Sequence, residues 1–242
     1  MENIILSVLR QNHLLSADFV CAPETALPQL AAFSDFLLRE NDRINLTAIT
    51  APHDVALKHI ADSICISPHI ARGAVLLDVG SGAGFPALPI AIVRPDITVY
   101  ALDSTAKKTD FILRAAAFLE LQNVRVITAR AEEAARDGAY RETFDVVTAR
   151  AVSELNILCE LCSPFLKQGG RFIAMKADAP AREIADAESA LRPLHLEIEK
   201  QLPLTLQNER EQINRTLILI NKTAPTPNIY PRANAKIKKQ PL

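Results

Sequence analysis

No apolar run in the chain approaches the roughly 20 residues a helix needs to cross a bilayer. The leading stretch MENIILSVLR has neither a basic leader nor a small-residue cleavage site, so a cytoplasmic protein without membrane contact is expected. Cysteine is scarce, with four residues at positions 21, 65, 159 and 162 and no framework spacing. Cys159 and Cys162 form one CxxC inside an apolar helical pattern, and no second pair completes a zinc site. Both read as buried helix cysteines, and no metal is expected. What remains is an ordinary globular composition, 49% hydrophobic and 23% charged over 242 residues, enough for one substantial domain plus an appendage.

The chain is organised around AVLLDVGSGAGF, Ala74 to Phe85, followed by Pro86. Apolar residues lead into Asp78 and Val79, and Gly80, Gly82 and Gly84 then alternate before an apolar helical pattern begins. This reads as a buried strand, a glycine turn and a helix start. Such a turn lets backbone approach a ligand closely, and the helix points unpaired N–H groups toward it. The dinucleotide fingerprint needs a further glycine at position 85, where Phe85 stands, so a pyrophosphate is disfavoured. A cofactor with a carboxylate, an amino group and a ribose, such as S-adenosylmethionine, fits better.

Upstream, helical patterns cover residues 2–15, a second stretch ending near Asn41, and about Pro52 to Ile70, with Pro23 and Pro28 as punctuation. The segment NLTAI, Asn45 to Ile49, lies between the last two, and the third carries HIADS, His59 to Ser63. His59 and Asp62 are of types that serve catalysis, but a His three residues before an Asp on a helix more often makes a local pair. Downstream, strands at about 74–79, 97–103, 124–128, 144–149, 171–176, 194–202 and 216–220 alternate with helices at about 85–93, 106–119, 131–137, 153–166 and 181–191. Pro95, Gly138 and the pair Gly169 and Gly170 mark turns. The alternation implies an α/β fold, a mostly parallel seven-stranded sheet with helices on both faces and a helical N-terminal extension. The expected parts are residues 1–70, 71–222 and 223–242.

Charge is uneven. Residues 212–242 hold six cations and no acid, leaving −7 on the preceding residues of a chain whose net charge is −1. A basic tail on an acidic body suggests contact with a polyanion. The tail is expected to be poorly ordered in isolation.

In a parallel sheet, ligands sit beyond the carboxyl ends of the strands. The strands deliver to that edge the glycine turn, Asp103, Ala131 with Glu132, Arg150 and Lys176. Asp103 suits two ribose hydroxyls, while Ala131 and Glu132 are placed to border an adenine. The fourth strand is followed by TARAV, Thr148 to Val152, rather than the prolines and aromatic typical of exocyclic-amine methylation. Neither Cys159 nor Cys162 ends a strand, as carbon methylation of a pyrimidine would require. An acceptor that is already nucleophilic, such as guanine N7, remains.

DVGSGAGFP at Asp78 to Pro86, DSTAKK at Asp103 to Lys108, RAE at Arg130 to Glu132, TARAV, NLTAI, HIADS and a terminal YPR with PL together resemble the ribosomal small-subunit methyltransferase G family, also called glucose-inhibited division protein B. The resemblance runs from about residue 41 to 242. It implies a class I, Rossmann-like, S-adenosylmethionine-dependent methyltransferase acting on guanine N7 in the decoding-region loop of 16S ribosomal RNA, guanine 527 by family resemblance. By position it implies cofactor contacts at Gly80, Phe85, Ala131, Glu132 and Arg150; Asp103 matches the ribose carboxylate expected of the wider class, and Ser81 and Gly82 of the glycine turn complete the candidate cofactor-binding set. Ala87, Ala177, Ala235 and Ile237 depart from the family pattern, the last two in the tail.

N7 carries no proton, so no general base is expected and catalysis rests on positioning. Because the A-form major groove hides N7, the target should lie in a loop or an incompletely assembled subunit. Arg150, Lys176, Arg232, Lys238 and Lys239 are the candidate RNA contacts, and no DNA partner is expected. The rival readings are a non-catalytic ribosome-assembly RNA-binding factor and a small-molecule methyltransferase. An intact glycine turn with Asp103 and Glu132 weighs against the first, and the basic tail against the second.

Overall fold

A computed structural model describes residues 1–15, 21–150, 152–177 and 181–242. Seven strands form one sheet in the order β3-β2-β1-β4-β5-β7-β6. They are β1 (Val75–Val79), β2 (Thr98–Asp103), β3 (Val124–Thr128), β4 (Phe144–Arg150), β5 (Leu166–Lys176), β6 (Leu196–Gln207) and β7 (Gln212–Lys222). The first five run parallel, and β7 pairs antiparallel with both β5 and β6. The order reverses at β1, where one connection leads to β2 and another to β4, and a crevice opens there at the carboxyl edge.

Residue alternation along the strands explains why both faces are covered. Leu76, Val99, Val146, Ile173 and Leu217 face one apolar core, while Leu77, Leu102, Val147, Phe172 and Ile218 face the other. Onto the first face pack α1 (Glu2–Gln11), α2 (Pro23–Ile44), α5 (Ala87–Val93) and α6 (Ala106–Phe118), together with a composite helix. That composite begins as α3 (Pro52–Asp54), widens into a π-helix at Val55–Ala61 and tightens again in α4 (Asp62–Ile64). The second face is covered by α7 (Ala131–Ala134), α8 (Leu155–Cys162) and α9 (Ala181–Leu191), with α10 (Asn234–Lys239) packed on α8. Ile5, Leu30 and Leu57 share a core with Leu76, so the helical stretch 1–70 packs directly on the sheet. No described helix is long and apolar enough to cross a membrane.

Local departures from the sequence expectations have physical causes. Pro28 lies inside α2 rather than between helices; five residues past the N1 proline, it removes only one backbone bond. Gly169 and Gly170 sit within β5 instead of marking a turn ahead of it. The pairing jumps from Phe144–Leu166 to Val146–Arg171, so the glycines take up an irregularity in the strand, Gly169 at φ +80°. The third helix ends at Ile64, ahead of a 3-10 turn at Ser67–His69, rather than at residue 70. Cys159 and Cys162 are buried in α8 as read from the pattern.

The tail is folded onto the body, and two of its six cations, Lys222 and Arg232, serve that purpose. Lys222 is fully buried, its ammonium donating to Glu142 Oε1 at 2.6 Å and to the carbonyls of Ser163 and Leu166. Arg232 donates to both oxygens of the buried Glu160 carboxylate, from Nε at 2.8 Å and Nη2 at 2.6 Å, and its own N–H adds a third bond. Arg141 donates to the carbonyls of Thr226 and Tyr230, and Ile237 is wholly buried. A guanidinium so committed is a structural clasp, so the RNA contact expected at Arg232 is reassigned to tail anchoring. Replacing Arg232 with alanine leaves the Glu160 carboxylate buried without its partner. Urea denaturation of R232A is expected to show a loss of about 3–5 kcal/mol.

Candidate active site: two clefts meeting at Arg150

The glycine turn hangs from the end of β2. Gly80 and Ser81 both donate their backbone N–H to the Leu102 carbonyl, at 2.8 and 3.0 Å. Gly80 has φ +77°, and a Cβ there would lie 2.7 Å from Val152 Cγ2, so only glycine leaves the backbone open at this point. Asp103 closes the turn from the neighbouring strand. Its Oδ2 accepts the Gly82 N–H at 3.0 Å and its Oδ1 the Thr105 N–H at 2.9 Å, which fixes the carboxylate while each oxygen keeps a lone pair.

The helix start behaves differently from the sequence expectation. Helix α5 begins at Ala87, and its first N–H is taken by the buried Asp78, whose Oδ2 accepts it at 3.3 Å. Burial pushes the Asp78 carboxyl up to about 7, and its other oxygen has no partner among the described residues. Asp78 thus supports the turn from beneath.

A cleft of about 360 Å³ opens over the turn, bordered by Gly80, Asp103, Ala131, Glu132, Arg150 and Val152. Sequence reasoning identified five of these as site residues. It missed Asn234, which reaches the same cleft from α10 beside Lys238, because no local pattern shows where a tail will fold. Ser81, Gly82 and Phe85 lie outside the lining. Ser81 is buried and donates to the Asp78 carbonyl at 3.0 Å, while Gly82 serves Asp103. The Phe85 ring is buried between Phe33 and His59.

Arg150, at the end of β4, also borders a second cleft of about 480 Å³ that includes Ile49, His59, Asp62, Met175, Lys176 and Arg215. The NLTAI and HIADS segments build its wall. Asn45 ends α2 in the left-handed conformation, at φ 48°. The Asn41 side chain then accepts the N–H groups of Leu46 and Thr47, at 2.7 and 2.8 Å. Thr47 Oγ1 lies 2.8 Å from His59 Nε2, and the His59 ring stacks on Phe85 with centroids 4.3 Å apart. Asp62, buried to 2% exposure, accepts Arg150 Nη1 at 2.9 Å on one oxygen and Arg215 Nε at 2.7 Å on the other. The local His59–Asp62 pair expected from spacing does not form, because each side chain serves a partner distant in sequence. Arg150 completes the cluster by donating to the Lys58 carbonyl at 3.0 Å and lying over Phe85.

Lys176 donates to the Ser153 carbonyl and pairs with Glu183, so its charge is already matched. Lys238 and Lys239 are exposed on α10. Among the described residues no cluster of His, Cys, Asp or Glu could hold a metal ion.

The strand order and the crevice at β1 define the fold of class I methyltransferases. A solved structure of that architecture, M. jannaschii TYW2 in complex with AdoMet, superposes with a TM-score of 0.55 at 16% identity, covering 68% of this chain and 76% of that one. The family model described as rRNA small subunit methyltransferase G matches residues 26–213, and the chain belongs to that family. A relative named Ribosomal RNA small subunit methyltransferase G from Desulfitobacterium hafniense is 41% identical over 216 residues, 89% of each chain. Another of the same name from Lactobacillus acidophilus is 37% identical over 245 residues, 100% of this chain and 98% of that one.

Burial, followed by the charge of Arg150, pushes the His59 imidazole down to about 3. The unfolded chain takes up a proton at this histidine below about pH 6.5, whereas the native chain refuses it until about pH 3. The contribution of His59 to stability is therefore complete above pH 6.5 and is lost progressively as pH falls toward 3. NMR titration of the ring nitrogens is expected to find His59 neutral at pH 5, and a midpoint near 6.5 would refute this.

Proposed function

We propose that the chain transfers a methyl group from S-adenosylmethionine to N7 of a guanine in 16S ribosomal RNA, presented as RNA or as a small subunit still being assembled. The observation that carries the reading is the meeting of the two clefts at Arg150, one with the donor set for a nucleoside carrying an amino acid and the other open to an acceptor. The residues present fit that cofactor. Asp103 keeps lone pairs for vicinal hydroxyls, Ala131 and Glu132 border the space for a base, and the open backbone at Gly80 admits the amino-acid portion. The cleft lies within the usual range for small-molecule sites.

When bound, S-adenosylmethionine supplies an electrophilic sulfonium methyl. The chain's own part is positional. N7 has an in-plane lone pair and no proton to remove, and His59 is neutral with Nε2 committed to Thr47, so no side chain here need act as a base. Arg150 is held rigidly by Asp62, Lys58 and Phe85, which supports a fixed boundary between donor and acceptor. Lys238 and Lys239 on α10 are free to meet phosphate.

The test is transfer of labelled methyl to 16S ribosomal RNA, supplied naked and as small subunits, with the modified base mapped by cleavage at N7-methylguanine. Label at one guanine is expected; no label on either form, with the cofactor analogue S-adenosylhomocysteine still bound, would overturn the reading. Changing Lys238 and Lys239 together to alanine is expected to lower the slope of log RNA affinity against log salt by about 1–2. In calorimetry, G80A is expected to bind S-adenosylhomocysteine at least tenfold more weakly, since its Cβ meets Val152 at a backbone conformation alanine resists.

A further inference from the structure

Arg215 is the unexplained member of the cluster around Asp62. It lies on β7, far in sequence from every strand end that delivers cofactor residues, yet it borders the second cleft. Its Nε is bound by Asp62 and its Nη1 by the Asn214 carbonyl at 2.9 Å, which leaves Nη2 without a partner among the described residues. The guanidinium is therefore held at one end with a donor in reserve. Ile49 and Met175 supply apolar surface to the same cleft, as a planar base would require on its faces. A phosphate would be met better by the exposed lysines of α10 than by a half-buried guanidinium beside apolar walls.

We propose that the second cleft receives the purine to be methylated and that Arg215, fixed by Asp62, reads the oxygen on its C6. The inference rests on the reaction proposed above. N7 and O6 of guanine are neighbours on one edge of the base, so a base that turns N7 toward the cofactor cleft carries O6 along the same wall. A guanidinium only donates hydrogen bonds. It satisfies O6 of guanine and opposes the amino group that adenine carries at that position. Asp62 is the positioning residue, because its carboxylate holds Arg150 at the cofactor boundary and Arg215 at the acceptor wall simultaneously.

The experiment compares methyl transfer to 16S ribosomal RNA carrying guanine, inosine or 2,6-diaminopurine at the modified position. Inosine keeps O6 and N7, whereas 2,6-diaminopurine keeps N7 and replaces O6 with an amino group. The unaltered protein is expected to favour guanine and inosine over 2,6-diaminopurine by about 10- to 100-fold in kcat/KM. In R215A that preference should collapse toward unity, with S-adenosylhomocysteine binding unchanged by calorimetry. In R215Q, whose amide can present either a donor or an acceptor, the two classes of base should also react at similar rates. Equal losses on all three bases in both variants would make Arg215 a phosphate or structural contact and overturn the inference. Failure of the unaltered protein to methylate guanine would overturn the reaction itself and this inference with it.

Discussion

One buried carboxylate ties the functional half of the molecule together. Asp62 comes from a short α-turn after a π-helix, Arg150 from the end of β4 and Arg215 from the antiparallel strand β7, and the three meet in two hydrogen bonds of 2.9 and 2.7 Å. Removing a charge of this kind from water costs several kcal/mol, and the arrangement persists because each oxygen faces a guanidinium. Two cations on one anion leave a net positive charge at the junction of the clefts. The helical N-terminal stretch is thus a wall of the site as well as a cover for the sheet.

The sheet and its cofactor edge were legible because they depend on local signals. Apolar runs named each parallel strand, and although a carboxylate or arginine at one strand end has several ordinary uses, the ends together place Gly80, Asp103, Ala131, Glu132 and Arg150 at one edge, where they border one cleft. Strand ends were less exact where the rule changes. The antiparallel pair β6 and β7 extends past the ends read at 202 and 216 because its outer half, from Pro203 to Arg215, interleaves polar and apolar residues, and apolar patterning marked only the buried centre of β7. Phe85 was assigned by motif, and its placement under His59 emerges only when a helix 26 residues earlier is seen to pack there.

Charge counting failed for a similar reason. The last 31 residues look like a free basic arm when their acids are sought nearby in sequence. The acids are present but distant in sequence: Glu142 and Glu160 pair with Lys222 and Arg232, and Asp62 pairs with Arg215 while also holding Arg150. Only Lys236, Lys238 and Lys239 remain as exposed charge, gathered on one short helix. What looks in sequence like a diffuse charged tail is in the fold a small basic patch beside the cleft over the glycine turn, which Lys238 borders.

The span of the Asp62 contacts also bears on how the molecule reaches its native state. Its bonds to Arg150 and Arg215 bridge 88 and 153 residues of chain. Closing such loops is entropically unfavourable until the intervening strands are already aligned, and topologies rich in distant contacts fold slowly. The sheet can condense around its two apolar cores first, while the junction of the clefts can form only once β4 and β7 are both in register. The junction of the clefts therefore depends on the alignment of β4, β5 and β7, and its presence reports that this half of the sheet is in place.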